Sequence, residues 1–580
     1  MLKSWPIALA MAVAVVTAGG CGETLVSAPQ PTMTRLFHGT LVPGSYVSST
    51  AYQHYLMSRL HAQAGRVIEA VEELRQAIAA DPTAAYLRAA LAEELLGLGH
   101  LDEARDEVEV ALRLDPDFPE GHLLLGRVRL RVGDAAGFQA ELERAVAVDR
   151  SCTEAYVELA TYLEHSGADA RALEVWRELV RQVPASAAGH LALGRAALGR
   201  LDTKVAEQHL RRAFELEPGR EAARFELAML LRGEGRTKEA LTLLDRLGNT
   251  PSEARAEELA VRWLLGDGQL AEARARVDRL DEVGMGADLS RRLLIGHLRV
   301  LVGQPEEARR LAESAGVPGR RLLGDALAAL GRDLEAVTEL GRIAPSAPEF
   351  FDAQRLAAHL LAAAGRGKEG VELLARAAAA TVKLKAEPIE LEEASALLLE
   401  ESGEVDAAVT RLRTATTRWP DSERLSSALV GVWARQGHWE RAVEEAQRLL
   451  AKRPNAASVL NQVGALLAEH NLRLADARRF LERALRLRPS DGNIADSLGW
   501  LALRQNRLDD AAVLLERADR LVPGSASILG HLGALYMQRA DRPRAVDAYR
   551  RALSAHPTVS LRHTVEEQLL LLERGRLGAR

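Results

Sequence analysis

The sequence predicts an all-α protein, an α-solenoid of about fifteen helical hairpins that ends in a capping helix. Three observations support this fold class. A proline recurs every 34 residues over long stretches, a small residue stands 12 positions before it, and a glycine separates the halves of many repeats. Such a fixed period is typical of stacked repeats, because a single hairpin cannot bury its own apolar face.

Two markers in constant phase define the repeat. The proline marker comprises Pro82, Pro116, Pro184 and Pro218, with Arg150 in the same phase, and then Pro420, Pro454, Pro489, Pro523 and Pro557 with one step of 35 residues. The second marker is small at every position but one, and it comprises Ala70, Ala104, Phe138, Ala172, Ala206, Ala240, Ala273, Ala308, Ala336, Gly370, Ala408, Ala442, Ala477, Ala511 and Ala545. Its spacing varies between 28 and 38 residues in the middle of the chain, which we therefore predict to be irregular.

Each repeat is predicted to hold two amphipathic helices of about a dozen residues. The turn between them is assigned to glycines that can adopt positive φ, namely Gly65, Gly99, Gly133, Gly167 and Gly235. The small marker residue opens the second helix, where it lets two helices approach closely. The proline ends the second helix because it cannot continue one.

The last full repeat carries the most specific pattern, which consists of Leu532, Gly533, Tyr536, Ala545, Tyr549, Ala552 and Pro557. These residues resemble the tetratricopeptide repeat (TPR), and the resemblance extends over about residues 50–558. It implies a TPR superhelix. It says less about function, because the family is a scaffold for many partners.

The predicted domain organisation has six parts. They are a lipoprotein signal peptide (1–20), a flexible tether rich in Thr, Ser, Pro and Gly (21–49), an N-terminal TPR array (50–250), irregular TPR-like hairpins (251–400), a C-terminal TPR array (401–558) and a capping helix with a tail (559–580).

The N-terminal residues have the pattern of a secretory signal. Lys3 precedes an apolar run that is too short to span a bilayer, and the small residues at 18–20 stand directly before Cys21. This resembles the lipobox of bacterial lipoproteins, although Ala18 stands where that family prefers leucine. The resemblance implies lipidation of Cys21 and a lipid-anchored envelope protein that faces the periplasm or the outer cell surface. Some lipoproteins of Gram-negative bacteria carry an aspartate directly after the cysteine, which keeps them in the inner membrane. Gly22 occupies that position here, so the outer membrane is favoured in a Gram-negative cell. The alternative interpretation of the N-terminal residues is a plain secretory signal.

Composition argues against several functional classes. The 75 basic and 81 acidic residues are mixed along most helices, so no basic stripe for nucleic acid is present. The two cysteines have no metal-ligand spacing, and no nucleotide-binding, hydrolase or metalloprotease motif occurs. We therefore predict no enzyme, no metal, no cofactor and no small-molecule substrate. The carboxylates of Glu392, Glu393, Glu400 and Glu401 are assigned to a solvated helix face.

Candidate binding residues follow from the TPR resemblance, which implies that the first helix of each hairpin lines a concave groove. Carried onto the C-terminal array, the inward positions are Ser458, Asn461, Asn493, Asp496, Trp500 and His531. Amides offer a donor and an acceptor to an extended peptide, and an indole offers a large anchoring surface. In the alternative interpretation Trp500 packs under Leu521 or Leu529, and the asparagines cap or solvate helices. Trp176 and Trp433 are predicted core residues.

The leading functional hypothesis is a non-enzymatic protein–protein interaction scaffold on an envelope membrane. Architecture similar to that of envelope TPR lipoproteins suggests an adaptor that presents client proteins to a periplasmic partner such as a protease. The alternative is an assembly or pilot lipoprotein for a pilus, a secretin or an exopolysaccharide export system. An enzyme of the glycosyltransferase type is disfavoured, since no alternation of strands and helices follows residue 558.

Overall fold

The computed structural model describes residues 33–37, 40–44, 48–245, 252–283, 289–382, 386–555 and 559–577. The predicted signal peptide, Cys21 and Pro557 lie outside these residues. Within the predicted tether, β1 (Met33–Phe37) and β2 (Thr40–Gly44) pair as an antiparallel hairpin, a feature that the sequence did not predict. Among the residues described, no helix is both long and apolar enough to cross a membrane.

The chain divides into two compact units, an N-terminal unit of Met1–Val148 and a C-terminal unit of Asp149–Arg580. The boundary falls within the predicted N-terminal array. In the N-terminal unit the first three hairpins are α1 (Ser49–Gln63) with α2 (Val67–Ala80), α3 (Ala85–Leu98) with α4 (Leu101–Leu114), and α5 (Pro119–Arg131) with α6 (Ala135–Val148).

The C-terminal unit continues with hairpins four to fifteen. Hairpins four to nine are α7 (Thr153–Ser166) with α8 (Asp169–Gln182), α9 (Ala187–Gly199) with α10 (Thr203–Leu216), α11 (Glu221–Gly233) with α12 (Thr237–Leu244), α13 (Glu253–Gly266) with α14 (Leu270–Val283), α15 (Leu289–Leu301) with α16 (Pro305–Ala315), and α17 (Arg320–Ala329) with α18 (Asp333–Gly341). A one-turn 3₁₀ helix, Val317–Gly319, precedes α17.

Hairpins ten to fifteen complete the stack. They are α19 (Phe350–Ala363) with α20 (Gly367–Val382), α21 (Ile389–Glu401) with α22 (Val405–Arg418), α23 (Glu423–Arg435) with α24 (Trp439–Lys452), α25 (Ala457–Glu469) with α26 (Leu474–Leu487), α27 (Gly492–Arg504) with α28 (Leu508–Leu521), and α29 (Ala526–Gln538) with α30 (Arg542–Ser554). The last helix, α31 (Val559–Leu577), packs Val565, Leu569 and Leu572 against the core of the final hairpins. The predicted solenoid of fifteen hairpins with a capping helix is thus confirmed.

The markers read from the sequence occupy the predicted places in each hairpin. All of the second-marker residues lie in second helices and are buried, and even Phe138 is only 2% exposed. The described prolines of the first marker stand two residues beyond the end of a second helix, as Pro82 does after α2. The turn glycines have φ between 72° and 86°, which glycine adopts without a steric cost.

The first helices of consecutive hairpins lie on the inner side of each unit. They contact one another, as α3 does with α5 and α25 does with α27, whereas second helices make no comparable contact in the described part of the chain. In the middle, α16, α17 and α18 are short, with 11, 10 and 9 residues. In the C-terminal unit the run of contacting first helices extends from α13 to α29, and these helices build its inner surface.

Candidate functional site

Polar side chains link consecutive first helices along the inner side of the C-terminal hairpins. The Ser458 hydroxyl donates to Glu423, the Gln462 amide donates to the carbonyl oxygen of Ser427 at 3.2 Å, and His531 Nδ1 lies 2.8 Å from the Asp496 carboxylate. Each pair is 35 residues apart, which is one repeat plus one residue. We call this row of residues on α23, α25, α27 and α29 the inner ladder.

Three of the predicted site residues form one cluster on the inner ladder. The indole of Trp500 stacks on the imidazole of His531, with ring centroids 4.3 Å apart and an angle of 21° between the planes. His531 in turn contacts Asp496, which is only 8% exposed. The Arg504 guanidinium lies 6.0 Å from the Trp500 ring centroid. Because one carboxylate holds the imidazole, the stacked aromatic pair has a fixed orientation.

The surroundings of Trp500 agree in part with both interpretations that the sequence left open, a packed side chain and a side chain exposed in the groove. It packs against an apolar cluster that includes Leu529, as the packing interpretation expects. It is nevertheless only half-buried, so part of the indole stays available on the inner side. Trp176 is buried at 5% exposure, and Trp433 is half-buried against two core clusters, in agreement with their predicted core positions.

The neighbouring first helices carry buried polar atoms that lack partners. Asn461 Oδ1, Gln462 Oε1 and Ser427 Oγ are inaccessible to solvent and make no hydrogen bond in the described part of the chain. Leaving such a group unpaired costs about 1–3 kcal/mol, so this part of the inner ladder is less stable than a fully hydrogen-bonded one.

Asn493 is the most accessible of the predicted residues. It lies in the first turn of α27 and is exposed, and among the described residues only its backbone N–H and carbonyl groups make hydrogen bonds. The structure therefore brings Asp496, Trp500 and His531 together in one cluster. Ser458 and Asn461 lie on the preceding first helix, α25, and Asn493 lies at the N-terminal end of α27. Sequence reasoning missed Glu423, Ser427 and Gln462, although a search for polar residues 35 positions apart on first helices could have found them.

A second feature of the C-terminal unit is a cavity of about 1020 Å³ on the inner side of α7, α9 and α11. The segment that joins α26 to α27 forms its opposite wall. Apolar side chains such as Leu191, Phe225 and Met229 line it together with several arginines. Trp176 Nε1 donates to the Glu164 carboxylate at 2.7 Å, and burial raises the pKa of Glu164.

Acidic side chains and histidines of the described residues do not gather into a metal-binding cluster. Within the part of the chain that the structure describes, no group of three or more His, Cys, Asp or Glu side chains could hold a metal ion. Three of the four carboxylates assigned to a solvated face are instead paired with arginines of neighbouring helices, since Arg411 lies 2.8 Å from Glu392, Arg424 pairs with Glu393 and Arg435 lies 2.6 Å from Glu400. The fourth, Glu401, is exposed as predicted.

Two curated proteins are similar to parts of the chain. The chain is 29% identical to the cellulose synthase operon protein C of Xanthomonas axonopodis pv. citri (strain 306) over 397 residues, 65% of this chain and 25% of that protein. It is 25% identical to a TPR repeat-containing protein of Pseudomonas aeruginosa over 170 residues, 29% of this chain and 28% of that protein. The chain thus spans about a quarter of the length of the curated relatives it matches.

Solved structures of low sequence identity align with the chain. Yeast Tom70 aligns with a TM-score of 0.35 at 13% identity, over 91% of this chain and 96% of its own. A tetratricopeptide repeat protein from Parabacteroides merdae aligns with a TM-score of 0.34 at 14% identity, over 44% of this chain and 98% of its own.

Two family profiles described as tetratricopeptide repeat match the chain. One matches residues 61–128 and 197–262, and the other matches residues 123–187, 393–457 and 463–526. Together they cover more than half of the chain, and each matched range begins within a first helix of the structure. The chain belongs to the tetratricopeptide repeat family.

Proposed function

We propose that this protein is a scaffold on a bacterial envelope membrane that binds an extended segment of a partner protein along the inner ladder. Tetratricopeptide repeats indicate a protein–protein interaction scaffold. The observation that carries the proposal is the stacked pair of Trp500 and His531, which is half-buried on first helices α27 and α29, with the exposed Asn493 on α27.

The inner ladder offers two kinds of contact to an extended peptide. The stacked rings of Trp500 and His531 provide an apolar surface in a fixed orientation, the type of anchor that dominates binding energy in interfaces. The exposed side-chain amide of Asn493, in the first turn of α27, offers the peptide a hydrogen-bond donor and an acceptor.

The membrane location rests on the N-terminal residues. The lipobox-like sequence that ends at Cys21 supports lipidation there, and several acyl chains would make the attachment stable. Metabolic labelling with a fatty acid tests this directly. The label is expected on the natural protein and not on Cys21→Ser; equal labelling of both, or labelling of neither, would contradict a lipid anchor.

Two partner classes fit such a scaffold. An exopolysaccharide synthesis or export system is favoured by the relative named cellulose synthase operon protein C, which aligns with 65% of this chain. The other class is a periplasmic protease and its client proteins, for which the chain would be an adaptor. The two classes predict different proteins in association with the scaffold.

Affinity purification from membranes followed by mass spectrometry separates these classes. Components of a polysaccharide synthase or export channel are expected, whereas enrichment of a protease with cell-wall hydrolases would favour the adaptor. The double variant Trp500→Ala, Asn493→Ala should lose the partner while keeping its helical circular dichroism. Val513→Ala is the matched control, since Val513 is 61% exposed on a second helix. Unchanged capture by the double variant would refute the proposed site.

A further inference from the structure

The cavity beside α7, α9 and α11 has two walls that are far apart in the chain. Second helices α26 and α28 contact the first helices α9 and α11, and hydrogen bonds beside this contact join residues 264 and 317 positions apart. Arg520 Nε donates to the carbonyl oxygen of Gly233 at 2.6 Å, at the end of α11. Residues 486–491 lie on one side of a space of about 1020 Å³, and small-molecule sites measure roughly 300–1,000 Å³.

The floor of the cavity is apolar and is not filled by side chains. Half-buried Leu173, Phe225 and Met229 expose carbon to it, and Leu487 does so from the opposite wall. Three alanines of α9, four residues apart, leave the space open, namely Ala188, Ala192 and Ala196. Covering this apolar carbon removes it from water, which stabilises a bound apolar group.

The floor lacks the groups that an extended peptide needs. A peptide backbone brings one N–H donor and one carbonyl acceptor per residue, and these need partners once they are buried. Among the described lining residues none is asparagine or glutamine, and the hydroxyl groups are those of Thr161 and Ser490. The Ser490 hydroxyl already donates to Glu226 at 2.8 Å. A flexible hydrocarbon chain, which needs no hydrogen bonds, therefore fits this floor better than a peptide does.

All four carboxylates that line the cavity are already engaged. Asp169 and Glu226 each accept from a lining arginine, at 3.1 and 3.2 Å. Asp491 accepts from a backbone N–H at the start of α27 at 2.9 Å, and Glu164 accepts from the Trp176 indole at 2.7 Å. Burial also raises the pKa of Glu164, which favours its neutral form. These carboxylates therefore leave part of the basic charge of the lining without a partner.

The exposed rim of the cavity is positively charged. Six arginines and four carboxylates line the cavity, which is a formal excess of two positive charges. Arg200, Arg255 and Arg488 are exposed and form no ion pair with a described residue, although Arg255 lies 5.0 Å from the Phe225 ring centroid. A guanidinium group binds a carboxylate or a phosphate through paired N–H donors. The rim therefore favours an anionic group above an apolar floor.

We propose that this cavity binds a single-chain amphiphile with an anionic head group, a fatty acid or an alkyl phosphate. The hydrocarbon chain covers the apolar floor between α9, α11 and Leu487, and the head group contacts Arg200 and Arg488 at the rim. This ligand is not a protein and does not use the inner ladder. The proposal is therefore independent of the partner protein proposed above.

Isothermal titration calorimetry tests the proposal in the full chain with Cys21→Ser, which cannot carry a lipid of its own at that position. The probes are dodecanoate and dodecyl phosphate below their micelle concentrations, and dodecyltrimethylammonium has the same chain with a cationic head. One saturable site per chain is expected for an anionic probe, and the tighter of the two identifies the head group. The cation should bind about tenfold more weakly or worse, because its head meets unpaired arginines. Absence of saturable binding of both anions, or equal affinity for the cation, would overturn the proposal.

Two variants locate the site. Ala192→Trp fills the open space beside α11 and should abolish binding of the anionic probes. The double variant Arg200→Gln, Arg488→Gln leaves the floor intact, so it should weaken binding of the anions about tenfold or more without weakening binding of the cation. Arg413→Gln is the matched control, since Arg413 is exposed on α22 outside the cavity and its loss should change nothing. Helical circular dichroism confirms that each variant is folded. Unchanged binding of the anions in both cavity variants would overturn the site.

Discussion

The turn between α29 and α30 tests the backbone requirement of the repeat. Ala540 there has φ of 56°, in the left-handed region. Its N–H donates to Met537 O at 3.0 Å and the N–H of Asp541 donates to Tyr536 O at 2.9 Å, the two bonds of a Schellman motif. Gly437 occupies the equivalent place between α23 and α24, with φ of 75° and the same pair of hydrogen bonds.

The substitution Ala540→Gly is expected to stabilise the last hairpin. A left-handed conformation costs a residue with a Cβ about 1–2 kcal/mol. Glycine gives back about 0.4–1 kcal/mol through the greater entropy of the unfolded chain. The difference predicts a gain of about 0.5–1 kcal/mol. The reverse change, Gly437→Ala, should cost a similar amount, because no atom lies within 4 Å of the added Cβ and only the backbone resists it.

Hydrogen exchange is the suitable assay, since long repeat arrays do not unfold in a single step. Amides of α29 and α30 should gain about twofold to fivefold protection in Ala540→Gly, and those of α23 and α24 should lose as much in Gly437→Ala. Lower protection in Ala540→Gly, or no change in Gly437→Ala, would refute the role assigned to positive φ at the turn.

Three further predictions concern buried groups. Gly533→Ala should lower the hydrogen-exchange protection of α29 and α30 by about 1–3 kcal/mol because its Cβ collides with the buried Tyr549 ring. Gly97→Ala, which has open space around its Cβ, should leave the protection of α3 and α4 unchanged or raise it. Burial lowers the pKa of both His190 and His209. As pH falls below about 6.5, the unfolded chain therefore binds protons before the folded chain does, and the protein loses stability. The melting temperature of His209→Gln should fall less steeply with acid than that of the natural protein. Burial raises the pKa of Tyr549 to about 12, so the stability of the protein should decline as pH rises above 10. In an ultraviolet titration, Tyr549→Phe should show one fewer phenol that ionises at high pH than the natural protein.

The repeat architecture could be predicted because one small residue and one proline act locally in each hairpin. The marker at Ala477 is fully buried in α26, and Pro454 lies just beyond the end of α24, where the sequence placed them. The turn could be predicted wherever glycine marks it. Leu201 and Ala540 take the same conformation without glycine, and no local sequence signal distinguishes them.

Contacts between distant repeats could not be predicted from the same periodicity. The stacking of Trp500 on His531 depends on the offset between successive first helices, which a repeat length alone does not give. The capping of α11 by Arg520 joins residues 287 positions apart and depends on the accumulated curvature of eight hairpins. Both features arise from packing, so they became visible only in the structure.

Site-specific photocrosslinking tests the central functional claim most directly. A photoreactive phenylalanine derivative at position 493, on the exposed edge of the inner ladder, is expected to trap a discrete partner protein in cells. The same group at position 513, which is 61% exposed on the second helix α28, should trap none or far less. Adducts of equal yield at the two positions, or adducts at 513 alone, would contradict binding along the inner side of the first helices.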